Sequence, residues 1–187
     1  MRRVKGILFV DYVRMIRGQR TTDRTDWVDP RDAPYLTGRV DPNDWYPMET
    51  FERLGNTILE RVARGDMFAV RMWGRLSVDQ LAEAQPMLVA PGEPLETLRR
   101  FRVLRETYFD FDAIDVIMLH DGQAQIVIHY YMGNPAEEAA SQQTMGFFER
   151  LLELAGAGVV EAELRERSWD GDPRTLLVLS WTMTEDA

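Results

Sequence analysis

The chain predicts an α+β fold in which N-terminal helices pack on an antiparallel sheet and a C-terminal ββαββ unit completes it. Three observations predict it. Residues 108–132 are apolar and β-branched and break once, at Asp121-Gly122. Residues 134–157 repeat apolar positions at helical spacing. Residues 159–183 are a second strand pair, broken at Asp170-Gly171-Asp172-Pro173.

The 187 residues suit a single domain: a mainly helical part, 1–106, with a long loop at 18–44, and the ββαββ part, 107–187. Residues 4–17 place Ile7 and Val10 on one helical row and Leu8, Tyr12 and Met15 on another, which favours helix. The prolines after Asp29, Ala33 and Asp41 keep 18–44 out of regular structure. Asp44 is a candidate N-cap for a helix over 45–64, with Phe51, Leu54, Ile58, Leu59 and Val62 as its apolar stripe and Gly65 closing it. Residues 67–74 continue as helix. Ser77-Val78-Asp79-Gln80 has the capping-box pattern and predicts a separate short helix. After a break at 86–91, Pro94 opens a helix to about 105.

Asp-Gly is the strongest short hairpin signal, and a two-residue loop sets the register: His120 faces Gln123, Met118 faces Gln125, Val116 faces Val127, and Ile114 faces His129. The core face is then Ile117, Leu119, Ala124, Ile126, Ile128, Tyr130 and Met132. Asn134 should cap the following helix with Pro135 at its first position, and Gly146 should allow a close backbone approach. In the last pair, Val160, Ala162 and Leu164 should face Leu177, Leu179 and Trp181 across the core side.

Composition removes several chemistries. There are no cysteines, so disulfides, thiolate metal sites and Cys nucleophiles are excluded. The net charge of −9 disfavours nucleic acid. Arg99, Arg100, Arg102 and Arg105 read as a solvated helix face beside Glu93 and Glu96. No apolar run reaches the roughly 20 residues of a membrane span, and a cytoplasmic location is expected. Lys5 is the one lysine, near the chain start, which disfavours Schiff-base chemistry. No phosphate-loop, dinucleotide or nucleophile-elbow motif occurs.

The two histidines, His120 and His129, lie roughly 20 Å apart along the strands, too far for one metal ion. Asp110, Asp112 and Asp115 lack the glycine and distal glutamate of a calcium loop. No metal is expected, and no catalytic residue is assigned. Aromatic residues are the better clue. Trp45, Tyr46, Trp73, Tyr108 and Tyr131, together with His129, are the candidate ligand-binding set. Phe109, Tyr130, Trp169, Met67, Met72 and Met132 are further candidates for lining the same apolar pocket, with ordinary core packing as the alternative.

The stretches Tyr108-Phe109-Asp110-Phe111, Tyr131-Met132-Gly133, Gly146-Phe147-Phe148-Glu149-Arg150-Leu151-Leu152, Ala155-Gly156-Ala157 and Ser168-Trp169-Asp170-Gly171-Asp172, with Trp181, resemble the haem NO-binding, 4-vinyl reductase and TRAPP-like superfamily. The resemblance is nearest to a paralogous branch abundant in myxobacteria, which also opens a helix with a Tyr-Pro pair, here Tyr46-Pro47. It covers about 100–183. It implies helices packed on an antiparallel sheet, and a body that binds haem or small hydrophobic ligands or serves as a signalling and interaction module. Two departures matter. The metal-binding cysteines of 4-vinyl reductase-like members are missing. The haem-binding members carry a histidine followed by Tyr-x-Ser-x-Arg. Here Tyr35-Leu36-Thr37-Gly38-Arg39 imitates that motif with no histidine before it. The expectation is therefore no cofactor, haem included.

The resulting functional reading is a non-enzymatic sensory or adaptor domain for a small hydrophobic ligand or a protein partner. Its alternatives are an enzyme using His129 with carboxylate partners, and a structural subunit that dimerises through helix 134–156 or a sheet edge.

Overall fold

The computed structural model describes residues 2–20 and 25–183. Strand β1 (Arg3–Lys5) runs directly into helix α1 (Gly6–Arg17). Two short helical turns follow, Thr25–Trp27 and α2 (Ala33–Thr37). Strand β2 (Trp45–Pro47) precedes α3 (Met48–Thr57), which continues into a π-helical turn, Ile58–Val62. Then come α4 (Met67–Ala84), α5 (Pro94–Leu104), β3 (Ile114–His120), β4 (Gln123–Ile128), α6 (Ala136–Leu154), β5 (Ala157–Glu166) and β6 (Thr175–Met183).

The mixed α+β class and the ββαββ unit are as expected. The two hairpins lie side by side in one antiparallel sheet, ordered β3-β4-β6-β5. Gly122 turns the first hairpin with φ 75°, which costs glycine nothing. Val160, Ala162 and Leu164 pair with Trp181, Leu179 and Leu177, as their alternation predicts.

Several local expectations are corrected. Residues 45–47 are not helical: they pair with Arg3–Lys5, and Lys5 and Arg3 sit over the Trp45 ring. The helix therefore begins after Pro47, whose backbone is still extended at ψ 131°. Ser77 does not start a helix. It lies inside the continuous α4, whose cap is Asp66, accepting from the amides of Phe68 and Ala69. Asn134 does not cap α6. There, Glu137 accepts from the amides of Met132 and Gly133 at 3.1 and 3.2 Å. In β3 the register shifts between Val116 and Met118, so Ile114 faces Ile128 rather than His129, and Val116 faces Ile126 rather than Val127. A β-bulge of one residue reverses which side chains point inward. Ile117 is accordingly exposed, while Ile114 and Val116 are buried.

Helix α6 is the central element. One side lies on the sheet and the other crosses α4. At that crossing two glycines face opposite backbones. A Cβ on Gly74 would stand 1.9 Å from the Gln143 carbonyl oxygen, and one on Gly146 1.9 Å from that of Arg71. Arg71–Glu149, Arg75–Glu153 and Arg150–Asp79 ion pairs flank the contact. With both faces of α6 occupied, its apolar stripe is not a dimer surface.

Candidate functional site

The close α4–α6 crossing leaves space beside it, toward α1 and the start of the sheet. The space is a cavity of about 80 Å³. Aromatic rings make much of its wall. Tyr12 stacks on Phe51 at 4.0 Å between centroids, and Phe101 meets Phe147 at 5.6 Å. Met48, Leu81, Ile114 and Ala140 complete its apolar lining.

The phenol, amide and threonine groups of the wall all have partners. The Tyr12 hydroxyl donates to Gln143 Oε1. Thr144 Oγ1 donates to the Ala140 carbonyl at 2.9 Å, so the Tyr130 hydroxyl, 2.7 Å away, donates to Thr144. The Tyr108 hydroxyl donates to Gln85. Burial pushes the phenols of Tyr108 and Tyr130 up to about 12, and Tyr12 moves in the same direction for the same cause. All three are neutral donors at ordinary pH.

Asp11 stands at the lip, where it and Ser77 line both the cavity and an open groove of about 880 Å³ along α1 and α4. Its side chain is 14% exposed. Burial pushes its carboxyl up to about 6, against the opposing pull of Arg14.

The sequence candidates divide among different places. Tyr108 lines the aromatic cavity, as do Phe109 and Tyr130. Trp73 borders the outer groove and a smaller hollow beside Met132. Trp45 is covered by Arg3 and Lys5, and Tyr46 stacks on Phe9 at 4.4 Å while its hydroxyl accepts from the Asp41 amide. His129 and Tyr131 are on another surface. His129 Nδ1 is 2.9 Å from the Tyr131 hydroxyl, beside Arg2, Arg105 and Phe111 in an open hollow. Asp110 is held by Arg3, and Asp115 lies 3.9 Å from Arg105. Among the described residues no acidic or histidine group is arranged to hold a metal. In the Tyr35–Arg39 stretch, the carbonyls of Tyr35, Leu36 and Gly38 accept from Arg17, so it brackets the end of α1. Tyr12, Asp11 and Gln143 were not singled out by sequence. Only Tyr12 has a signal, its place in the helical row of residues 8, 12 and 15.

Neither a protein-family model nor a curated protein matches the chain. Solved structures do. An H-NOX protein from S. oneidensis in the Fe(II)NO state superposes with TM-score 0.65 at 12% identity, covering 95% of this chain and 99% of that one. An unliganded Fe(II) H-NOX point mutant from K. algicida gives 0.63 at 12%, covering 96% and 97%. An oxygen-binding H-NOX domain related to soluble guanylate cyclases, as its oxygen complex, gives 0.63 at 12%, covering 98% of each. The class is thus defined by architecture: the chain has an H-NOX-like fold along nearly its whole length.

This comparison overturns the expectation of no cofactor. That expectation rested on a missing sequence motif, whereas the proteins sharing this architecture are solved in Fe(II)NO and oxygen-bound states, and one was used to probe haem distortion. As they stand, the residues of this cavity do not fit a haem. Neither His120 nor His129 is among its lining residues, and its 80 Å³ is well below the roughly 300–1,000 Å³ of sites for larger ligands.

Proposed function

We propose that this chain is a sensory domain that takes up a small ligand in the aromatic cavity between α1, α4, α6 and the start of the sheet. The observation that carries the reading is the cavity: apolar rings around a few neutral phenol, amide and hydroxyl groups, inside an H-NOX-like fold. A space of this size suits a gas-sized or short apolar molecule. The H-NOX neighbours support gas ligands, with haem as their carrier, as the comparison to test first. The resemblance of the stretches over about 100–183 to the haem NO-binding, 4-vinyl reductase and TRAPP-like superfamily supports small hydrophobic molecules as the wider ligand class. Among the described residues no helix is long and apolar enough to cross a membrane.

The test is ligand uptake by the whole chain. Protein made with added haem precursor is examined for a Soret band, and protein under xenon is examined by NMR at the methyls of Met48, Leu81 and Ile114. Xenon shifts confined to those methyls support the reading, and a Soret band would add haem as the carrier bound elsewhere or in a widened cavity. Ala140→Phe, which fills the space, should abolish the response. A folded protein with neither response overturns it.

A protein-binding reading has its own observation. Phe68, Met72 and Leu76 form an exposed apolar row along α4, at 69%, 38% and 57% exposure. A partner docking there would be protected from solvent along that row.

A further inference from the structure

The aromatic cavity does not end at a closed wall. It meets the outer groove at Asp11 and Ser77, which line both. Inside the junction the lining is almost wholly apolar, with its tyrosine, glutamine and threonine groups already paired to one another. Outside it are Arg14, Gln80 and Glu83. A molecule lying across the junction would have its apolar end among the rings and its polar end at Asp11.

The chemistry of that polar end follows from the carboxylate. Among the described residues, Asp11 has one ion-pair partner, Arg14, at 3.6 Å, and no hydrogen-bond donor within reach. Arg14 is the neighbouring turn of the same helix and its side chain is 66% exposed, so it can swing into water at little cost. Two buried carboxylates of this chain are gripped by two donors each. Asp32 is held by Arg53 and Thr50, and Glu149 by both nitrogens of the Arg71 fork. Asp11 has no such grip: it is a mostly buried acceptor at the mouth of a cavity, with the exposed Arg14 as its one ion partner among the described residues. The other charges on the groove are one guanidinium, Arg14, and one carboxylate, Glu83, so with Asp11 the groove has an excess of negative charge.

Resting on the cavity reading above, we infer that cavity and groove are one site for an amphiphile with a short apolar end and a primary ammonium head, and that Asp11 receives the ammonium. An ammonium supplies three donors and a positive charge to a carboxylate whose one ion partner, Arg14, stands 3.6 Å away and mostly in water. A carboxylate head would meet Asp11 and Glu83 as like charges. A hydroxyl head would gain a hydrogen bond without the charge.

The experiment is titration calorimetry of the full chain with n-butylamine, 1-butanol and butyrate at equal, near-physiological salt, which screens the general attraction of a −9 protein for cations. The amine should bind about tenfold more tightly than the alcohol, the scale of one charge-assisted hydrogen bond, and butyrate more weakly than both. Asp11→Asn, isosteric and without the charge, should bring the amine down to the level of the alcohol. Arg14→Gln should tighten the amine. If 1-butanol or xenon binds but the amine has no advantage, or Asp11→Asn leaves that advantage intact, the inference falls and the cavity reading stands. If neither 1-butanol nor xenon enters and the amine is equally inert, both fall.

Discussion

A carboxyl kept from water keeps its proton to higher pH, and Asp11 is such a group. Its folded value of about 6 lies above its ordinary 3.8, with burial as the cause and Arg14 as the opposing influence. The proton is therefore bound more tightly in the folded chain than in the unfolded one. The stability this contributes is full below about pH 4 and is lost as pH rises through 6. Allowing for solvent screening at the lip of the cavity, the loss is about 1–2 kcal/mol. Asp11→Asn has no such proton to lose. Urea denaturation should show the variant gaining on the parent by that amount between pH 4 and pH 7. A stability difference that stays constant across the window would count against burial as the cause.

Among the elements, the α4–α6 crossing is the least forgiving contact. Gly146→Ala places a methyl group 1.9 Å from a carbonyl oxygen of Arg71, an atom of the backbone that cannot rotate away. Overpacking of this kind costs about 1–3 kcal/mol, or more where backbone must move. Thermal denaturation should show the loss, whereas Gly65→Ala, with nothing within 4 Å of its Cβ, should suffer only from its φ of 79°. The need for glycine at 146 is legible in the sequence, because an interior helix glycine is otherwise a cost. The two hairpins and α6 are legible as well, from Asp121-Gly122, from strict alternation at 160–164, and from helical spacing over 134–157. What is not legible depends on partners distant in sequence. Trp45–Pro47 becomes a strand only because Arg3–Lys5 lies beside it. The bulge at Ile117 preserves the apolar residues of β3 but moves a different pair of them inward. Ser77 has the local pattern of a cap, yet packing against α6 carries the helix through it.

Across the whole molecule, the cavity is the place where the helical half and the sheet half share side chains, which is why the sequence shows so little of it. Tyr108 and Tyr130 are visible as aromatic residues beside strands, but the Tyr12–Gln143 bond joins residues 131 positions apart, and no local pattern announces it. The same geometry determines how occupancy would spread. Glu137, 3% exposed, ties the start of α6 to the segment after β4 through the amides of Met132 and Gly133, and to the β5–β6 connection through Ser168. A ligand in the cavity touches α6 one to two turns further along, at Ala140, Gln143 and Thr144. Binding to the folded state alone stabilises it by about 2.7 kcal/mol at a hundredfold excess over Kd. That stabilisation should first appear in the elements that line the site. Hydrogen exchange with 1-butanol or xenon present should slow at α1, α4, the middle of α6 and the segment around Tyr130, with little change at the exposed β5 edge near Val159. Glu137→Gln keeps the side-chain shape but removes the charge that holds two amides and a hydroxyl. In that variant slowing should persist in α1 and α4 but be lost around residues 130–133, because the link between α6 and that segment is the one removed. Uniform slowing over the whole chain, in parent and variant alike, would mean that binding acts only through global stability and that the fold passes no local signal from its cavity to the end of β4.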